Sequence, residues 1–159
     1  MSDLYQTSAD LRASVADLAR QERPGAALTL TRSATLAITT AGTLITWQVE
    51  TRNQGFTWAT TNITIPTAGY YAMSLTYNAN TSHTAYFRLN VGGVNVVHMT
   101  GDNVGSTTRH GYMWLRYFTT GDVLSFTVVP SANVTIQVAA EGAVSESPIL
   151  HITQMTGVI

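Results

Sequence analysis

Cysteine is absent from this chain, and so is lysine. Without cysteine there is no disulfide and no thiolate metal site to consider. Arginine and lysine differ chemically, but a complete bias toward arginine points to the codon usage of a GC-rich genome rather than to a physical demand. Charge of either sign is scarce: charged residues make up 11% of the chain, against roughly 25% in ordinary soluble domains. A surface so thinly charged must be covered by Thr, Ser, Asn and Gly, or be partly hidden in an assembly, and both are expected here. The net charge of −1 leaves no electrostatic footprint for nucleic acid. No apolar run approaches the roughly 20 residues a membrane span needs, so no membrane insertion is expected. The opening residues, MSDLYQTSAD, lack the basic and apolar blocks of a signal peptide, and synthesis in a cytoplasm is the expectation.

What is present changes character at Pro24-Gly25. Before that point, Leu4, Ser8, Leu11, Val15 and Leu18 follow a four-three spacing that places them on one seam of a helix. Asp3 near its start and Arg20 and Arg23 near its end suit the helix dipole, and Pro24-Gly25 stops it. The spacing predicts an N-terminal helical anchor or stalk over residues 1–25 and a β-rich head over residues 26–159. A helix this short does not stand alone in water. Three uses fit it: packing on its own head, a parallel self-associating stalk, or a peg seated in a partner protein.

After the break, period-two alternation dominates. In one run Tyr71, Met73, Leu75 and Tyr77 share a face; in another Ala85, Phe87, Leu89 and Val91 do. Between Tyr112 and Phe118 both faces are apolar or aromatic, with Met113, Leu115 and Tyr117 opposite Tyr112, Trp114 and Phe118. A two-sheet sandwich covers only the inner face of each sheet, so the outer face of this strand is expected to meet another subunit. Seven further strands are predicted at 35–39, 44–50, 62–65, 95–99, 124–129, 134–139 and 149–155, separated by turn signals such as Pro66-Thr67-Ala68-Gly69, Gly92-Gly93 and Gly121-Asp122. Ten short strands at this spacing predict an all-β sandwich or jelly roll.

Three segments carry a resemblance. Ile63-Thr64-Ile65-Pro66-Thr67-Ala68-Gly69-Tyr70-Tyr71-Ala72-Met73 resembles the F-x-x-P-x-x-G-x-Y-x-F signature of C1q/TNF-like domains, with Met73 in the place of the last Phe. Arg88-Leu89-Asn90-Val91-Gly92-Gly93 is similar to the family strand that ends in Asn-Gly, and Leu115 to Leu124 to its L-x-L-x-x-G-D-x-V stretch. The likeness covers roughly residues 34–156. It implies a ten-stranded jelly roll that trimerises about a threefold axis. Domains of this kind resemble those on bacteriophage fibres and capsid decorations, often behind a short N-terminal anchor.

The search for chemistry returns little. None of the four histidines, His83, His98, His110 and His151, has the spacing of a metal-ligand pair. Gly101-Asp102-Asn103 is the one place whose oxygens would suit calcium, a hard cation; no cofactor is otherwise expected. There is no G-x-S-x-G elbow, no pair of facing carboxylates for glycoside hydrolysis and no phosphate-cradling loop, so no enzyme is expected. Tyr71, Met73, Tyr77, Tyr112, Trp114 and Phe118 are the candidates for core or trimer interface, since aromatics dominate both. Asn80, His83, Asp102, Asn103, Arg109 and His110 lie in loops of a composition that hydrogen-bonds glycans or protein surfaces. The resulting expectation is a homotrimeric bacteriophage protein of the virion surface, a decoration or short head fibre attached through its N-terminus to a capsid or tail protein. A tail-tip or tail-fibre receptor-binding protein and a free carbohydrate-binding lectin are the alternatives.

Overall fold

Alternating sequences place every second side chain on one face of a strand, and the longest alternating runs here become the longest strands. The computed structural model describes residues 25–80, 83–100, 109–138 and 148–156. Among these there is no helix; there are thirteen strand segments. The helix expected over residues 1–25, with Leu4, Leu11, Val15 and Leu18, lies outside the described residues apart from Gly25.

The segments are β1 (Ala27–Thr31), β2 (Leu36–Ile38), β3 (Thr43–Leu44), β4 (Val49–Gln54), β5 (Thr57–Trp58), β6 (Ile63–Thr64), β7 (Gly69–Asn78), β8 (Ala85–Val91), β9 (Val94–Thr100), β10 (Arg109–Phe118), β11 (Val123–Pro130), β12 (Val134–Ile136) and β13 (Ile149–Gln154). A front sheet runs β10-β7-β13-β1-β4. A back sheet runs β5-β6-β11-β8-β9, with β3 also paired to β11, and β12 pairs with β2. Every strand pairing is antiparallel. The result is a jelly-roll sandwich.

The inner faces interdigitate as the alternation predicts. Leu28 and Leu30 of β1, Tyr71, Met73, Leu75 and Tyr77 of β7, and Leu150 and Ile152 of β13 are all buried, as are Phe87 and Leu89 of β8 and Leu124, Phe126 and Val128 of β11. Phe87 sits at the centre of an aromatic cluster, with ring centroids 5.1 Å from Tyr112, 5.6 Å from Trp114 and 5.8 Å from Phe126.

Three local features differ from the sequence reading. The strand predicted at 44–50 is two elements: β3 belongs to the back sheet and β4 to the front sheet, and residues between them cross the sandwich. Ile45 and Trp47 keep their period-two burial through this crossing, which is why the sequence looks continuous. Their amides bond elsewhere, Ile45 N to Phe126 O at 2.8 Å and Trp47 N to Thr60 O at 2.7 Å. Second, neither β1 nor the two-residue β5 was expected; the Leu28/Leu30 alternation of β1 is only five residues long and follows directly on the Pro-Gly break. Third, the strand predicted at 134–139 ends at Ile136.

The segments that carry the family resemblance also meet in space. Gly121 N donates to Ile65 O and Ile65 N to Asp122 O, both at 2.9 Å. The Asp122 carboxylate closes its own turn by accepting from Thr119 N at 2.8 Å. Tyr71 turns its hydroxyl back to donate to Thr67 O at 2.7 Å, while its ring packs on Phe56 and Phe118. Gly92 and Gly93 have φ of 57° and 83°, the left-handed pair that a two-residue hairpin turn requires.

Candidate functional site

The register gives the sandwich two distinct ends. The chain enters beside β13: Ala26 N donates to the Gln154 side chain at 3.2 Å, and Gln154 N donates to Ala26 O at 2.8 Å. A Cβ on Gly25 would lie 2.5 Å from Gln154 O, so the approach of the entering chain demands glycine. The Gln154 side chain also reaches the Pro66–Gly69 turn, accepting from Thr67 Oγ1 at 3.3 Å and donating to Ala68 O at 3.4 Å. The Gly92-Gly93 and Thr119–Asp122 turns lie at this end too. At the other end β7 finishes at Asn78, β9 finishes at Thr100, and β10 begins at Arg109, paired with Asn78.

The outer face of the front sheet is the largest anomaly. In β10 Met113 is 77% exposed, Leu115 60% and Tyr117 50%. Register sets Tyr117 beside Tyr70, Leu115 beside Ala72 and Met113 beside Ser74. On the next strand Thr153 pairs with Ala72 and His151 with Ser74, and Met155 N donates to Tyr70 O at 2.8 Å. Tyr70 and Met155 are themselves exposed, and the Tyr70 and Tyr117 rings pack edge to face at 5.3 Å. A shallow groove of about 400 Å³ runs along this face, lined by residues that include Met113, Leu115, His151 and Met155. Toward β1 the face becomes polar, where Thr29 Oγ1 lies 3.0 Å from His151 Nδ1. Scattered exposed apolar residues are normal, but a contiguous set on one sheet face marks an interaction surface.

The sequence candidates fall as follows. Tyr71, Met73, Tyr77, Tyr112 and Phe118 are core residues. Trp114 is half-buried against Phe87 and Phe126. The residues that face outward are their neighbours Tyr70, Met113, Leu115 and Tyr117; the both-faces-apolar pattern of β10 held that signal. His83 is not a surface loop residue: it is 3% exposed, with its Nε2 3.2 Å from the Tyr77 hydroxyl. Burial and its neighbour Tyr112 push the Tyr77 phenol far above its ordinary range, and burial also raises Tyr112. Asn80 is exposed, but its Oδ1 accepts from Thr135 N at 2.9 Å and its backbone N donates to Thr135 O at 3.0 Å. Asp102 and Asn103 lie outside the described residues, as do the side chains of Arg109 and His110. Among the described residues no group of three or more metal-ligating side chains gathers, and no helix is long and apolar enough to cross a membrane.

Sheet order and register define an antiparallel jelly-roll sandwich, and solved structures show the fold to be C1q/TNF-like. No family model matches the sequence, and no curated protein matches it. Solved structures do. Vertex protein P5 of the phage PRD1 is 15% identical, with a TM-score of 0.60 over 84% of this chain and 99% of that one. The globular domain of zebrafish complement 1qA is 11% identical, with a TM-score of 0.55 over 84% of this chain and 98% of that one. Eiger TNF from S. frugiperda is 10% identical, with a TM-score of 0.57 over 86% and 96%. At these identities the likeness is one of fold.

Proposed function

We propose that the chain is a bacteriophage structural protein of the virion surface. In this reading it is a homotrimeric decoration or short head fibre, held to a capsid or tail protein through its N-terminal segment. The observation that carries this is the uncovered apolar face of the front sheet. Covering Met113, Leu115 and Tyr117 with the same face of other copies would gain roughly 1.5–3 kcal/mol for each side chain fully buried. Three copies that turn this face toward one axis meet through a heterologous contact, the kind that closes into a ring when the rotation permits. The separation of the two ends supports the attachment half of the reading. The chain enters at one end, and Asn80 lies near the other, where β7 finishes and β10 begins, which suits an anchored protein that displays its far end. The likeness of fold to a phage vertex protein supports the setting.

The test is mass in solution followed by position on a particle. Sedimentation equilibrium should return three times the 17.1 kDa chain mass. Quantitative mass spectrometry of purified particles should then find the protein in many copies. A monomer at micromolar concentration would remove the trimer; a handful of copies per particle would move the role to a tail tip.

A further inference from the structure

The middle of the back sheet's outer face, along β8, is polar, although Leu44 of β3, paired with Thr127, and Val94 and Val123 near the hairpin end are exposed apolar residues of the same sheet. Tyr86, Arg88 and Asn90 project from β8, because Ala85, Phe87 and Leu89 between them are buried. Register places Arg88 between His98 of β9 and Thr127 of β11, and Asn90 beside Ser125. Arg88 donates from Nη2 to the Tyr86 hydroxyl at 3.2 Å and holds its guanidinium carbon 5.1 Å from the Tyr86 ring centroid. The His98 ring lies against the same tyrosine, with centroids 4.3 Å apart. These contacts hold the guanidinium over the sheet.

No carboxylate among the described residues answers this arginine. Glu50 accepts from Asn53 Nδ2 at 2.9 Å and from Trp58, and Asp122 is used in its own turn. Arg88 Nε is enclosed and has no hydrogen-bond partner. Arginine is the side chain whose planar fork matches a carboxylate bidentately, and this one is held in place by a ring instead of by its natural counter-ion. Around it stand neutral hydrogen-bonding groups: Asn90, whose amide donates to Thr127 Oγ1 at 3.1 Å, together with Ser125 and the exposed His98.

We propose that this face binds an acidic polysaccharide. Arg88 takes the carboxylate of a uronic-acid sugar, His98 flanks it, and Asn90, Ser125 and Thr127 meet the sugar hydroxyls. Isolated phosphate or sulfate would satisfy the charge but would leave the neutral row unused. The site lies within one chain, on the sheet opposite the apolar face, and is therefore independent of whether copies associate.

The probe is an oligogalacturonate titrated into the full chain by isothermal calorimetry, with its methyl ester as the uncharged counterpart. Saturable binding of the acid is expected, with the ester weaker by about tenfold or more, the worth of one charge-assisted pair. Arg88→Ala should lose the same factor, and Arg88→Lys should recover only part of it. Arg52→Ala, an arginine on β4 bonded to Gln54, should bind within about twofold of the parent. If Arg88→Ala fails to fold by circular dichroism, His98→Ala at an exposed position supplies the loss to be read. Binding that ignores Arg88 and His98, no saturable binding of the acid, or equal competition by inorganic polyphosphate would each overturn the assignment.

Discussion

At Arg32 a full positive charge is buried with no carboxylate beside it among the described residues. Its guanidinium donates from Nε to Ala34 O at 3.1 Å and from Nη2 to Thr35 O at 3.3 Å, and Nη1 bonds both the carbonyl and the hydroxyl of Thr46. Burial lowers its pKa from the usual arginine value, yet the fork remains a clamp of four hydrogen bonds on the strand-to-strand connections around it. Arg32→Ala strands these acceptors, and chemical denaturation should show a loss of about 3 kcal/mol; Arg32→Lys should not restore it, because an ammonium lacks the fork. The buried phenols make a second prediction. Tyr77 and Tyr112 are both raised above the tyrosine range, so the folded protein keeps their protons where the unfolded chain has begun to lose them. Stability from these groups is fully present below about pH 10, the unfolded tyrosine value. It falls as pH rises beyond that, because the native state then binds more protons than the unfolded one. Absorbance titration should show both phenolates appearing only on unfolding, and Tyr77→Phe should flatten the alkaline loss.

The strands explain what was legible from residue order alone. β7 and β8 are long and strictly alternating, β10 and β11 are long and end at Gly or Pro turn signals, and the period survives in the sandwich except at the buried Val128-Val129-Pro130 end of β11. Turn chemistry was equally readable, since Gly92-Gly93 and Gly121-Asp122 owe their conformation to their own residues. The crossing from β3 to β4 was not readable, because Ile45 and Trp47 alternate in burial as though no sheet had been exchanged. β1 was too short to stand out, although it joins β13 to β4. Alternation also says that two faces differ without saying which one looks inward; that depends on the neighbouring strands, and it separates Tyr71 from Tyr70 and Tyr112 from Met113. The polar composition around His83 reads as a solvated loop, whereas Tyr77 draws that ring into the interior. The site on β10 therefore has a direct test at this scale. Leu115→Glu places a charge on an exposed side chain, so the fold should stay within about 1 kcal/mol of the parent. The same charge desolvated in a subunit contact is costly, and light scattering should find the variant monomeric. Unchanged mass would show that this face is not where copies meet.

For the molecule as a whole, the proposed readings give the apolar outer face to contact between copies and the polar one to a ligand. Both flank a core that closes from Ala27 onward, and the Gln154 network ties the entering chain to β13 and to the Pro66–Gly69 turn. Deleting residues 1–24 should therefore leave a head that melts cooperatively within a few degrees of the parent, while attachment to the particle is lost. A truncated head that still copurifies with particles would place the anchor elsewhere. The neighbouring positions of Gly25 and Thr156 carry a mechanical meaning as well. β1 lies between two antiparallel neighbours, and in such pairs the hydrogen bonds run perpendicular to the strands. A load applied between the entry point and the opposite end pulls along those strands and strains the whole ladder at once. A load applied between Gly25 and Thr156 opens the same ladder one rung at a time, so a head tethered at its entry and gripped at its far end is pulled in its stronger direction.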